Sequence, residues 1–230
     1  MTNTKEKRHY LLFAVIAVLG LATDLATKSY AFAKLGHPLE NNGQVSWVIE
    51  GFFGFQSSLN EGALFGLGQG YSWLFIVLAF GAIIGISSWF AVGTPGKDKF
   101  LTVILAMLIA GIIGNVYDRM GLPAWEGDWT WPVATINERA GIEHDQGERI
   151  YAVRDFILFR FGSFTWPNFN IADSLLVCGV SMMLFHAFVL EPRQRKRESG
   201  ESSGKAAKTN QAEKTNTAAK TSVQKSTSPG

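Results

Sequence analysis

The sequence predicts an all-α polytopic membrane protein, with four transmembrane helices and a small extracytoplasmic β-sheet and loop region. Three observations carry this. Four segments are apolar over the length needed to cross a bilayer, about 20 residues. Charged residues make up only 17% of the 230 residues while hydrophobic ones reach 47%, and a soluble domain carries roughly 25% charged residues. Basic residues cluster at three places that share one side of the membrane if the spans number four.

The first span runs over about 10–32, "YLLFAVIAVLGLATDLATKSYAF". With "KEKRH" before it and "AFA" after, it also has the outline of a cleavable signal peptide. Asp24 and Lys28 inside the apolar stretch argue against that reading. Aromatic and β-branched residues over 44–56 predict short strands, with Gly51 and Gly54 at turns or bulges. The second span covers about 71–92 and the third about 100–117. The intervening "GTPGKDK" lacks phosphate-loop spacing and reads as a turn.

Residues 120–150, rich in Gly, Trp and charge, read as a loop-rich insertion. "YAVRDFILFRFG" at 151–162 alternates in part and predicts a strand near the membrane surface. Trp125, Trp129, Trp131 and Trp166 suit an interfacial position. The fourth span covers about 171–190. Several long helices apolar all round are not expected of a soluble core. Residues 1–197 thus form the membrane domain, and 198–230, poor in apolar residues, a disordered cytoplasmic tail.

Orientation follows from Lys5, Lys7 and Arg8, then Lys97 and Lys99, then Arg193, Arg195, Lys196 and Arg197. The side that carries them is expected to be the cytoplasm, with both termini there. The stretches 33–70 and 118–169 then lie on the outer side. The first has Lys34 as its one Lys or Arg, and the second has more acids than bases.

Cys178 is the only cysteine, so no intramolecular disulfide can form; its apolar surroundings predict a buried, inert thiol. His9, His37, His144 and His186 show no metal-ligand spacing. No metal, no cofactor and no nucleic-acid partner are expected.

Ionisable groups in or beside a span are expensive and tend to be functional. Asp24 and Lys28, four apart, share a helix face and can pair. Asn115, Asp118 and Arg119 close the third span, Asp155 precedes the fourth, and Asn170 and Asp173 open it. Each has a plain structural use: Asn170 as a helix cap, Asp173 against the helix dipole, Asp24–Lys28 as an ion pair, Asp118–Arg119 as an anchor. Four separate segments nevertheless bring polar groups to one depth. Two carboxylates sharing a site hold one proton between them, activate water as a base and protonate a leaving amine as an acid. A Ser–Lys pair from Ser29 and Lys28 is disfavoured, because adjacent helix residues point apart. A proton relay in a small transporter is the competing class. A relay needs ionisable groups through the membrane depth, and here they crowd at the outer end.

The motifs "DLATK" (24–28), "NEGALFG" (60–66), "AGIIGNVYDR" (110–119), "VRDF" (153–156) and "FNIADS" (169–174) occur in this order between the four spans. Together they resemble lipoprotein signal peptidase, or signal peptidase II, a bacterial membrane aspartic endopeptidase. The resemblance implies that Asp155 and Asp173 are the catalytic pair that activates water. It implies that Asp24, Lys28, Asn60, Gly62, Asn115, Asp118, Arg119, Asn170 and Ala172 bind substrate or hold the site. Asn170 would bond the substrate backbone or a dyad carboxylate, and Asp118 and Arg119 would brace the outer end of span three. The implied substrate is a diacylglyceryl-modified prolipoprotein, cut before the lipidated cysteine. The implied setting is the bacterial cytoplasmic (inner) membrane, with membrane lipids as further partners, the active site at the extracytoplasmic surface, and a monomeric enzyme. Gly111 and Gly114 would allow close helix approach. Three features depart from the family: the long 120–150 stretch, the extra tail, and Ala110 where the motif commonly has glycine.

Overall fold

The computed structural model describes residues 4–62, 68, 70–93, 98–124, 129–137 and 142–192. The element order is α1 (Thr4–Leu35), β1 (Ser46–Ile49), β2 (Phe53–Asn60), α2 (Ser72–Gly93), α3 (Lys99–Arg119), β3 (Thr135–Asn137), β4 (Ile142–His144), β5 (Val153–Phe161), β6 (Phe164–Thr165) and α4 (Ile171–Phe185). The four apolar helices fall where composition placed them. The chain is not all-α, however: among the described residues six strands form a four-stranded sheet, β1-β2-β5-β6, and a separate hairpin, β3-β4.

Helix ends follow local chemistry. α1 stops at Gly36, whose φ of 76° is left-handed and whose N–H returns to the Phe32 carbonyl at 2.9 Å. α3 starts at Asp98, whose Oδ1 accepts from Phe100 N at 2.8 Å and Leu101 N at 3.1 Å. The α3 helix is central and packs against α1 and α2. Buried residues make up 56% of its most apolar stretch, against 6% in each of α1, α2 and α4. Leu11, Val18, Leu19, Val77, Ile84 and Val177 therefore stand exposed. Apolar surface on this scale needs lipid rather than water as its solvent.

Small residues set the helix contacts. A Cβ on Gly20 would lie 2.9 Å from the Ala110 Cβ, so Ala110 meets a glycine on the facing helix. Gly111 lies under the Ala172 carbonyl, and an added Cβ would come within 2.6 Å of it. This close approach draws α4 onto α3 at the level of the polar residues.

All sheet pairings are antiparallel. The β2–β5 register places Ser58 opposite Asp155 and Asn60 opposite Val153. Asn60 and Asp155 therefore point to one face of the sheet. The other face packs Phe156 on Ala31 and Phe32 of α1.

The loop-rich 120–150 insertion also holds a hairpin: Thr135 pairs with His144, Ile136 with Glu143 and Asn137 with Ile142. Trp131 is 7% exposed and forms a small core with Ile150 and Ala152, with Leu59 and Trp129 against it. Trp129 and Trp131 pack against protein; Trp166 stays substantially exposed, and Trp125 lies outside the described residues. Cys178 is exposed on α4, not buried. A helix apolar on every side does not reveal in sequence which side faces protein.

The chain divides into a compact unit, Met1–Met182, and a shorter one, Met183–Gly230. In the second, the helix end runs into a π-helical turn, His186–Leu190. Lys97, Arg193, Arg195, Lys196, Arg197 and the 198–230 tail fall outside the described residues.

Candidate active site

Residues from α1, β2, α3, β5 and α4 converge at one end of the helices. Asn170 precedes α4 as its N-cap. Its Oδ1 accepts from Asp173 N at 2.9 Å, and Asp173 Oδ2 accepts from Asn170 N at 3.2 Å. This reciprocal pair is a capping box with aspartate in the third helical position. Cap and dipole are thus real uses of both residues, but they are not the only ones. The Nδ2 of Asn170 also donates to Asp155 Oδ1 at 2.6 Å and to Asn115 Oδ1 at 3.2 Å. One asparagine touches both carboxylates.

The remaining oxygens have defined partners. Asp155 Oδ2 accepts from Asn60 Nδ2 at 3.1 Å. Asp173 Oδ1 accepts from Asn115 Nδ2 at 2.8 Å. The amide orientations are forced from outside. The Lys28 ammonium has only donors, so Asn115 must turn its oxygen to it, at 3.1 Å, and its nitrogen to Asp173. Gly62 N donates to Asn60 Oδ1 at 3.0 Å, which leaves the Asn60 nitrogen for Asp155.

A buried charge cluster stands beneath the pair. Lys28 Nζ lies 2.8 Å from Asp24 and 3.2 Å from Asp118, and also donates to the Gly114 carbonyl at 3.2 Å. Asp118 in turn holds Arg154 through Nη2 at 2.8 Å and accepts from the Arg154 backbone N at 3.0 Å. Two cations and two carboxylates balance, which is the condition for burying them. Asp24 Oδ1 reaches α4 by accepting from Ala172 N at 2.8 Å. The expectation that Asp24 pairs with Lys28 holds. Asp118 and Arg119 part company: Asp118 serves the buried cluster, while Arg119 donates to the Gly62 carbonyl and lies over the Phe75 ring at 4.7 Å.

Asp155 is 2% exposed. Burial pushes its carboxyl well above the usual carboxylate range, and the neighbouring Asp173 charge adds to this; the Asn60 and Asn170 hydrogen bonds oppose it. Asp173 lines an apolar groove of about 590 Å³ together with Asn60, Gly62, Asn115, Arg119, Val153, Trp166, Phe169 and Leu176 among others, and Asp155 lies buried behind Asn60 and Asn170. Polar groups therefore stand at one end of a cavity fit for an apolar chain.

All eleven residues singled out from the sequence are described. Asp24, Lys28, Asn60, Asn115, Asp118, Asp155, Asn170 and Asp173 form one connected network. Gly62 joins it through Asn60 and Arg119, and Ala172 through Asp24. Arg154 was missed, although "VRDF" contains it. Strand alternation puts its side chain opposite Asp155, on Asp118 and near Ser29, and a buried arginine beside an aspartate was the available signal. No cluster of metal-ligating residues occurs among the described residues.

The arrangement is similar to known proteins. The family described as signal peptidase (SPase) II matches residues 16–189. A lipoprotein signal peptidase of Rhodopirellula baltica is 37% identical over 180 residues, covering 78% of this chain and 72% of that protein. One of Bacillus pumilus is 34% identical over 152 residues, covering 66% and 79%. A solved structure described as a bacterial membrane enzyme superposes with a TM-score of 0.57 at 25% identity, covering 76% of this chain and 86% of that one. With the family matched across all four helices and the sheet, the chain belongs to the signal peptidase II family of peptidases.

Proposed function

We propose that this protein is a membrane aspartic endopeptidase that removes the signal peptide from diacylglyceryl-modified prolipoproteins. It cleaves before the lipidated cysteine with water activated by Asp155 and Asp173. The observation that carries the reading is the bridge made by Asn170, whose side chain holds Asp155 while its backbone N–H holds Asp173. Two carboxylates held this way, one with a raised pKa, share a proton near neutral pH and titrate as a pair.

In the reaction, the ionised member takes a proton from water as the oxygen attacks the scissile carbonyl. The protonated member hydrogen-bonds the carbonyl oxygen as negative charge develops there. The dyad then returns a proton to the leaving amine. Asn60, Asn115 and Asn170 fix the carboxylates, Lys28 fixes Asn115, and the Gly62 N–H fixes Asn60. The apolar groove takes the signal-peptide segment and acyl chains sideways from lipid, and Arg119 at its rim meets the substrate backbone. The basic clusters of the sequence support cytoplasmic termini and an active site at the extracytoplasmic surface. The lysines of the tail suit contact with anionic lipid. A monomer suffices, since every residue named comes from one chain.

The relay reading is the weaker one. Asp24, Asp118 and Asp173 gather in a single network at one end, whereas among the described residues the other end shows a His9–Thr102 hydrogen bond at 2.9 Å and the Asp98 cap of α3. The test is substitution of each dyad member by asparagine, with cleavage of a prolipoprotein as readout. Asp155→Asn and Asp173→Asn each lose about a thousandfold or more in turnover, the scale of acid–base catalysis, while remaining folded. Near-normal turnover in either removes that residue from the pair.

A further inference from the structure

The last residues of β2 and the turn after it serve two places in alternation. Asn60 and Gly62 face the candidate active site: Asn60 holds Asp155 Oδ2, and Gly62 offers its N–H to Asn60 and its carbonyl to Arg119. Leu59 and Glu61 face the insertion. Leu59 packs against the Trp131, Ile150 and Ala152 core with Trp129 beside it. Glu61, 8% exposed, accepts from Asn137 Nδ2 on β3 and lies 2.8 Å from His144 Nε2 on β4. This is strand periodicity used to connect two regions through one short segment.

The insertion is braced to make that grip firm. The His144 ring stacks on Trp131 at 4.4 Å between centroids and 19° between planes. Trp131 N donates to the Glu148 carbonyl at 2.8 Å, Gly147 N to the Trp131 carbonyl at 2.8 Å, and Ile150 N to the Trp129 carbonyl at 3.0 Å. Asn60, by contrast, is the last β2 residue paired with β5. A strand end of this kind frays unless something beyond it is tied down.

We propose that the 120–150 insertion is a positioning element for the carboxylate pair. Asn137 and His144 grip Glu61, and this fixes the turn that keeps Asn60 on Asp155. Glu61 is a positioning residue, since it touches neither carboxylate of the pair. The inference rests on the dyad reading above.

The test compares the double variant Asn137→Ala/His144→Ala, the single variants Glu61→Ala and Glu61→Gln, and Asn60→Ala, in steady-state cleavage across pH. Asp155→Asn is the control. Asp155 is faced by Asp173 from α4, Lys28 from α1 and Arg119 from α3, with Asn60 and Asn170 as its hydrogen-bond donors. Glu61 is faced by His144, which also lies 3.6 Å from Glu148. The Asn60 bond favours ionised Asp155, the member with the raised pKa, so losing it moves the alkaline limb of the kcat profile to higher pH. The double variant and Glu61→Ala are expected to lower kcat about tenfold, the worth of one hydrogen bond to a charged group, with KM within about twofold. Both shift the alkaline limb upward, as Asn60→Ala does. Glu61→Gln still accepts from Asn137 and still meets His144, and restores most of the rate. Wild-type kcat in Glu61→Ala and the double variant overturns the proposal, and so does a lower kcat with an unmoved alkaline limb, which marks a merely structural contact. An active Asp155→Asn instead overturns the dyad reading beneath it.

Discussion

Asn170 and Asp173 bond each other twice, side chain to backbone in both directions, at 2.9 and 3.2 Å. One cap therefore starts α4 and presents a carboxylate to the groove. The same Asn170 side chain donates to Asp155 at 2.6 Å. Asn170→Asp keeps an oxygen for the cap but loses the donor and sets a third carboxylate against Asp155. We expect its thermal midpoint to stay nearer wild type than that of Asn170→Ala, which loses a cap worth about 1 kcal/mol. Turnover falls steeply in both. Wild-type turnover by Asn170→Asp would remove the bridge from the mechanism.

Lys28 is the counter-ion of two buried carboxylates, Asp24 at 2.8 Å and Asp118 at 3.2 Å. Lys28→Met leaves Asp24 without a counter-ion, while Asp118 keeps Arg154, and costs about 3–5 kcal/mol. The double variant Asp24→Asn/Lys28→Met recovers part of the loss. Thermal unfolding in detergent of Lys28→Met, Asp24→Asn and the double variant measures the coupling; additive effects would contradict the ion-pair account.

Gly114 leaves no room for a side chain: a Cβ there would lie 2.4 Å from Asp24 Oδ2 and 3.2 Å from the Ala172 Cβ. Gly114→Ala is expected to destabilise by about 1–3 kcal/mol and to disturb the α1–α3–α4 junction. Gly81, in α2, has nothing within 4 Å of its added Cβ, so Gly81→Ala is neutral or slightly stabilising. Equal midpoints for the two variants would deny the close approach.

The raised Asp155 pKa has a consequence for stability. The folded state holds this proton to higher pH than the unfolded chain, whose carboxyl keeps the usual value of 3.8. Between those two pKa values the native state binds more protons, so stability falls as pH rises. The contribution is complete below the unfolded value and is lost as pH climbs through the folded one. Asp155→Asn removes this slope. Its midpoint should therefore improve relative to wild type as pH is raised from about 4 towards neutral. A difference between the two that is independent of pH would contradict the raised value.

The spans were legible because bilayer crossing demands a length and composition that few other structures share. The polar network was legible because Asp24, Lys28, Asn115, Asp118, Asn170 and Asp173 stand out against apolar sequence. What joins them was not. That Asn170 bridges both aspartates, and that Lys28 orients Asn115, depends on how close α1, α3 and α4 lie. The insertion was opaque for another reason. β3 and β4 have three residues each, too few for periodicity to register, and their place is set by Trp131 and Glu61 rather than by local preference. Arg154 escaped notice because its partner Asp118 is far away in sequence.

The most direct measurement is cleavage by the purified protein in lipid or detergent. The substrates are a diacylglyceryl-modified prolipoprotein and its unlipidated form, with the Asp155→Asn enzyme as control. The account predicts a single cut before the lipidated cysteine, made only on the lipidated substrate and lost in the variant. No cut by folded protein, equal cutting of both substrates, or undiminished cutting by Asp155→Asn would contradict it.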